Sequence, residues 1–195
     1  MPVTEPTFHF TYTAWADAFS PAELDAIEAY GDRLPLSAAA IAGQPDKAGG
    51  KLDERSRVTS TAWIERNGET KWLYDRMQAI IRTLNDGSYQ FDLRGFSDPF
   101  QYTVYQDSEG GHYGWHIDQG PMQAHRKLSI SLQLTDPSQY SGCDLEFFAG
   151  KLLEIAPKER GTVIAFPAYT LHRVTPIVSG TRKSVVVWVT GPKFK

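Results

Sequence analysis

The chain has 195 residues, 41% of them hydrophobic and 22% charged, with a net charge of −3. This is the composition of an ordinary globular protein, enough for one domain spanning 1–195 with a sizeable core, and its mild acidity argues against a general nucleic-acid binder, whose footprint is basic. Cys143 is the one cysteine, so no internal disulfide can form. The start of the chain lacks a basic segment leading into an apolar one, and no apolar run approaches the ~20 residues of a membrane helix; a cytoplasmic protein is expected.

Residues 3–12 alternate apolar and polar side chains and predict a first strand; His9 within it reads as structural or solvent-exposed. Ser20-Pro21-Ala22-Glu23 is a helix start, with a capping serine, proline at the first helical position and glutamate three after the cap. Leu24, Ile27, Tyr30 and Leu34 continue it as a buried stripe until Pro35. Residues 36–57 are rich in Gly and charge and read as a long loop, a candidate substrate lid. Alternation over 58–65 predicts a strand, with Arg57 before it as either a substrate contact or a solvated strand-end arginine. Residues 67–70 offer caps for a second helix, whose buried face is Leu73, Met77, Ile80, Ile81 and Leu84, closed by the turn residues Asn85-Asp86-Gly87.

The chain thus divides into a helical and loop part, about 1–87, and a strand-rich core, about 88–192. Strands are predicted at 89–96, 100–106, 112–118, 127–135, 143–148, 151–155, 161–166, 171–178 and 183–190, as in a sandwich or barrel. In 127–135, Leu128, Ile130, Leu132 and Leu134 share one face, while Lys127, Ser129, Ser131 and Gln133 share the other. The two amphipathic helices need a partner. Packed on the leucine face, they leave the polar face to line an internal pocket.

The chemistry concentrates in Gly111-His112-Tyr113-Gly114-Trp115-His116-Ile117-Asp118. On an extended strand His116 and Asp118, at i and i+2, point to the same face. A third ligand, His172, would complete a face of two histidines and one carboxylate, which suits non-haem Fe(II). A surface His-Asp pair or a hydrogen-bonded core histidine is the plain alternative for each half. Arg182 opens the last strand, and its planar fork fits the far carboxylate of a dicarboxylate co-substrate. It shares parity with Ser184, Val186 and Trp188, so its rival Lys183 should face away.

Four motifs carry a resemblance: the Gly-x-x-Tyr-x-x-His-x-Asp-like run from Gly110 to Asp118, the strand Arg126–Leu134, Gly142-x-Asp-Leu-x-Phe-Phe, and His172-x-Val-x-Pro-x-x-x-Gly-x-Arg182. Together they resemble the 2-oxoglutarate/Fe(II) oxygenases, in the short bacterial or phage form of the prolyl 4-hydroxylase-like branch. Arg57-x-x-Ser60-x-x-Trp63 extends the likeness weakly toward the N-terminus. The resemblance implies a mainly β fold with flanking helices: a double-stranded β-helix (jelly roll) whose N-terminal helices pack on the larger sheet. It also implies Fe(II) held by His116, Asp118 and His172, with 2-oxoglutarate, O2 and ascorbate as reductant. Arg182 would meet the 5-carboxylate of 2-oxoglutarate. Tyr105, with Tyr102 and Gln106 in contention, and Gln133 would be further co-substrate contacts. The reaction implied is hydroxylation of an unactivated C–H with release of succinate and CO2. A peptidyl proline is the first substrate expected, a free amino acid or small metabolite the second, and a non-catalytic jelly-roll metal-binding module the rival of another class. A nucleic-acid demethylase of the same superfamily would carry a second arginine where Trp188 stands. Tyr113, at odd parity to His116, could stand beside the metal only through a bulge. His112 reads equally as a substrate contact, second donor or structural histidine; His125 reads as exposed, Trp188 as core packing ahead of pocket lining, and Cys143 as a buried small residue. Oligomeric state is not legible.

Overall fold

The computed structural model describes residues 5–39 and 56–194. The chain enters through β1 (Thr7–Phe8) and β2 (Thr13–Trp15), so the strand expected at 3–12 is broken by a bend, and only the part from residue 5 onward is described. Helix α1 (Pro21–Gly31) starts as its sequence dictates. Ser20 N–H donates to Glu23 Oε2 at 2.7 Å, and Glu23 N–H donates to Ser20 Oγ at 3.3 Å. Such caps contribute about 1 kcal/mol. The helix ends before the expected Pro35, where Gly31 meets the face of Tyr102; a Cβ there would lie 2.4 Å from that ring.

β3 (Ser37–Ala38) follows, and most of the 36–57 loop lies outside the described residues. The strand expected over 58–65 is two strands, β4 (Arg57–Val58) and β5 (Ser60–Ile64), which belong to different sheets. Thr59 makes the crossing, and its hydroxyl donates to the carbonyl of Val104 at 2.8 Å. Helix α2 (Lys71–Leu84) buries all five expected residues and adds Tyr74. Asn67 holds the turn that leads into it, its Oδ1 accepting the N–H groups of Glu69 and Thr70. The helix does not stop at Asn85-Asp86-Gly87. It widens into a π-turn through Tyr89, which the left-handed Gln90 (φ 52°) closes. Tyr89 is thereby drawn out of the predicted 89–96 strand to donate its hydroxyl to Ala165 O at 2.6 Å. Only β6 (Gly95–Phe96) of that strand forms.

The rest is β7 (Phe100–Gln106), β8 (His112–His116), β9 (Arg126–Gln133), β10 (Tyr140–Gly142), β11 (Leu145–Ala149), β12 (Leu152–Ile155), β13 (Val163–Pro167), β14 (Leu171–Val174) and β15 (Ile177–Thr190). The larger sheet runs β1-β2-β13-β9-β15-β7-β5-β3, with β6 and β10 also paired to β15; the smaller runs β12-β11-β14-β8-β4. The described residues among the first 87 therefore give five short strands as well as two helices.

The helices lie on the larger sheet as the β9 alternation requires. Leu128, Ile130, Leu132 and Leu134 are fully buried in one cluster with Leu24 and Ile27 of α1, Met77 and Ile80 of α2, and Val185, Val187 and Val189 of β15. Each such aliphatic side chain contributes roughly 1.5–3 kcal/mol by its burial. The opposite face of the larger sheet turns toward the smaller sheet. One end of the space between them is closed by Phe147, Ile164, Phe166 and Val174. The other end stays polar, because β9 offers Ser131 there and β15 offers Arg182 and Ser184, with Ser129 and Gln133 bonded to Asp118 and Arg182. The fold is the mainly β, helix-backed jelly roll.

Candidate active site

Between the sheets lies a cavity of about 520 Å³, lined among others by His116, Asp118, His172, Arg57, Arg126, Arg182, Trp63 and Trp188. The two histidines meet because β8 and β14 run antiparallel with His116 directly opposite His172. Two residues further along β14, Val174 pairs with Tyr113, three residues back along β8. The additional residue on β8 is a bulge. It contains Gly114, whose N–H donates to Ser56 O at 2.7 Å. The bulge turns Tyr113 to the same side as His116, and the rings stack 3.5 Å apart. Strict strand parity would have separated them.

Asp118 is not on the strand, as the i, i+2 reading supposed. β8 ends at His116, and Asp118 sits on a bend just beyond. The N–H groups of Asp118 and Gln119 both donate to Ala168 O, at 2.9 and 3.0 Å, which fixes the bend. Ser129 Oγ–H donates to Asp118 Oδ2 at 2.6 Å and ties down one carboxylate oxygen. The ligand atoms of His116, Asp118 and His172 all lie within 4.8 Å of one another. His116 Nε2 is 3.7 Å from Asp118 Oδ1, and His172 Nε2 is 3.7 Å from Asp118 Oδ2.

Each imidazole is set to bind through Nε2. His116 Nδ1 lies 2.8 Å from Gly114 O and His172 Nδ1 lies 2.9 Å from Thr170 O. A carbonyl only accepts, so each Nδ1 carries a proton and each Nε2 is the ring nitrogen left to face a metal. Burial, reinforced by His172, pushes the His116 pKa down to about 3, so the ring is neutral, the form that ligates a metal. Burial alone would raise Asp118; His172, His116 and the Ser129 hydroxyl outweigh it and hold the carboxyl below its usual range. The Trp188 indole N–H leans toward Asp118 without reaching hydrogen-bond geometry. Two imidazoles and one carboxylate, each oriented by a further bond, fit a borderline divalent metal such as Fe(II).

Deeper in the cavity, Arg182 is 2% exposed. Its Nε–H and Nη2–H both donate to Gln133 Oε1, at 3.2 and 2.9 Å. Tyr105 is directly paired with Arg182 across the β7–β15 ladder, and the guanidinium carbon lies 5.6 Å from its ring centre. Burial pushes the Tyr105 phenol up to about 12, so it stays protonated. Tyr102 points to the helix side instead and donates its hydroxyl to Asp32 Oδ1 at 2.7 Å. Gln106 is absent from the cavity lining. Lys183 likewise faces the helices, with Nζ 3.0 Å from Glu28 and 2.8 Å from Asp32.

Other candidates lie elsewhere. His112 holds its own turn through Gly110 O at 2.9 Å, His125 is exposed, and His9 stacks on Tyr12. Trp115 is 42% exposed on the outer face of the smaller sheet, beside Phe148. Cys143 is a buried free thiol. Trp188, read as core, lines the cavity with Arg126 stacked 4.0 Å over its ring.

The sequence reading missed Ser129, Ala168 and Arg126 as site residues. Ser129 was reachable, since it shares the polar face of β9 with Gln133. Ala168 acts through its backbone carbonyl and leaves no sequence signal. Ser129→Ala is expected to weaken metal affinity about 10- to 100-fold, the usual effect of losing a partner that orients a ligand. Titration with Mn(II) checks this; unchanged affinity would mean that the Ala168 clamp suffices to aim Asp118.

Comparison with known proteins agrees with the geometry. Residues 100–190 match the model of the 2OG-Fe(II) oxygenase superfamily. A PKHD-type hydroxylase of Colwellia psychrerythraea is 34% identical over 65% of this chain and 58% of its own length. Another, from Acidovorax ebreus, is 32% identical over 70% of this chain and 71% of its own length. The chain spans about half the length of several of the curated relatives it matches. Among solved structures, the viral collagen prolyl hydroxylase of Paramecium Bursaria Chlorella virus-1, in complex with 2OG, superposes with a TM-score of 0.69. That match covers 93% of this chain and 97% of the viral one, at 20% identity, and speaks to the fold.

Proposed function

We propose a reaction for this chain from one premise: it belongs to the 2OG-Fe(II) oxygenase superfamily. Its reaction is hydroxylation of an unactivated C–H bond, and a peptidyl proline is the first substrate to try. The observation that carries this is the convergence of His116, Asp118 and His172 in the same cavity as Arg182, which Gln133 holds.

Fe(II) and 2-oxoglutarate with O2, when bound, supply an oxidative decarboxylation that yields succinate and CO2 and inserts one oxygen atom into the substrate C–H. The residues of the chain do the holding and aiming. Nε2 of His116, Nε2 of His172 and the carboxylate of Asp118 are the metal ligands. Gln133 fixes the guanidinium of Arg182, which leaves Nη1 and the second Nη2 hydrogen for the far carboxylate of the co-substrate. Tyr105, held neutral, adds a hydroxyl donor to that end. The wall of Phe147, Phe166 and Val174 keeps water from the buried side of the metal. Ascorbate as reductant and a cytoplasmic setting belong to the proposal; among the described residues no helix is long and apolar enough to cross a membrane.

The test is incubation with Fe(II), 2-oxoglutarate and ascorbate, alone and with a proline-rich peptide. Succinate is measured together with a peptide mass gain of about 16 Da, one oxygen atom. Succinate matched by hydroxylated peptide supports the reading. Succinate without product keeps the oxygenase and rejects the peptide. Metal binding without succinate leaves the non-catalytic metal-binding module.

A further inference from the structure

Arg57 is built into the cavity by three contacts. It pairs with Tyr113 in the β4–β8 ladder, and its guanidinium carbon lies 4.6 Å from the Tyr113 ring centre. Tyr113 in turn stacks 3.5 Å from His116, so the guanidinium is two stacking intervals from the first histidine. Its Nη2 donates to Oε1 of the buried Gln101 at 3.0 Å. Its Nε is buried and has no hydrogen-bond partner. Among the described residues it meets no carboxylate. A buried donor without an acceptor is costly in a protein that never fills it.

Charge points the same way, granted the metal and co-substrate proposed above. Among the described residues lining the cavity, Arg57, Arg126 and Arg182 stand against Asp98 and Asp118, one positive charge in excess. A divalent metal adds two charges and dianionic 2-oxoglutarate removes two. Arg182 is committed to the co-substrate, and Arg126 is paired with Asp98 at 2.8 Å. The unspent charge is that of Arg57.

We propose that Arg57 is a specificity residue and that the substrate presents a carboxylate to it. The acid can be that of a free amino acid, a peptide C-terminus or an acidic side chain. The inference rests on the oxygenase reading but chooses among its substrates: a neutral stretch of peptide backbone would leave Arg57 uncompensated.

The experiment uses the full chain with Mn(II) in place of Fe(II) and saturating 2-oxoglutarate, so that binding is read without turnover. The protein amino acids, their N-acetyl derivatives, their primary amides and N-acetyl-aspartyl amide are titrated by calorimetry, with tryptophan fluorescence as a second readout, since Trp63 and Trp188 line the cavity. The tightest acid should bind at least about tenfold better than its amide, the minimum expected of a charged hydrogen bond. Arg57→Gln should bring acid and amide to equal affinity, and Arg57→Lys should retain part of the preference. Which set contains the tightest acid identifies its source. Equal binding of acid and amide by the unaltered protein, a preference that survives Arg57→Gln, or no acid binding at all overturns the proposal. Mn(II) and 2-oxoglutarate binding, measured in the same samples, separate the two readings. If those fail, the oxygenase reading falls and takes this one with it; if they hold, only the carboxylate falls.

Discussion

Replacing His172 with alanine should abolish succinate formation, by at least about three orders of magnitude, and remove high-affinity Mn(II) binding. The proposed site has three protein ligands, and the loss of one costs more than the roughly 10- to 100-fold that follows from losing a supporting partner. The two survivors cannot compensate. His116 and Asp118 both come from the end of β8, whereas His172 stands on β14 and closes the face from the other strand. His172 is also 5% exposed, and its ring lies 4.6 Å from that of Phe166, so alanine leaves a hole costing on the order of 2 kcal/mol. Thermal melts without metal measure that packing loss, and metal titration at a temperature where the variant is folded measures the ligand loss. His172→Gln fills most of the volume without restoring an imidazole, and it should be nearly as inactive while melting closer to the unaltered protein. A folded His172→Ala that still binds Mn(II) tightly and makes succinate would remove His172 from the metal site.

The parts of this site that sequence revealed are those governed by strand periodicity. The alternation in β9 put the leucines under the helices and Gln133 against Arg182, and the alternation in β15 sent Lys183 to Glu28 and Asp32 and Arg182 inward. Period two is enforced by the pleat wherever a ladder is unbroken. It misleads where the ladder is broken. The β8 bulge brings Tyr113 beside His116 against parity, and Asp118 reaches the site from a bend held by Ala168, so its i, i+2 spacing pointed to the correct neighbour through incorrect geometry. The same holds at Thr59, where a strand of good alternation splits between two sheets, and at Asn85, where turn residues were absorbed by a wider helical turn. In each case tertiary hydrogen bonds, from Ser56, Ala168, Val104 or Ala165, override the local signal. Their acceptors are backbone carbonyls, which every residue type supplies equally.

Arg182→Gln should raise the KM for 2-oxoglutarate by about 10- to 100-fold and lower kcat less, because the interaction lost is with the co-substrate in ground state and transition state alike. A charge-assisted hydrogen bond to a buried carboxylate is worth about 1.5–3 kcal/mol, and each 1.4 kcal/mol is tenfold. Glutamine is preferred to alanine here because Arg182 is enclosed and holds Gln133 Oε1, so truncation would confound a lost contact with a cavity and an orphaned acceptor. Arg182→Lys keeps the charge without the fork and should recover part of the affinity. Lys183→Gln is the matched control: its ammonium serves Glu28 and Asp32 on the helix side, so it should cost a modest amount of stability and leave the KM unchanged. Calorimetric titration of 2-oxoglutarate into the Mn(II)-loaded variants checks the order, with Arg182→Gln weakest, Arg182→Lys between, and Lys183→Gln at the unaltered value. An Arg182→Gln protein that binds 2-oxoglutarate normally would place the co-substrate anchor elsewhere in the cavity, with Arg126 and Arg57 the remaining cations able to serve.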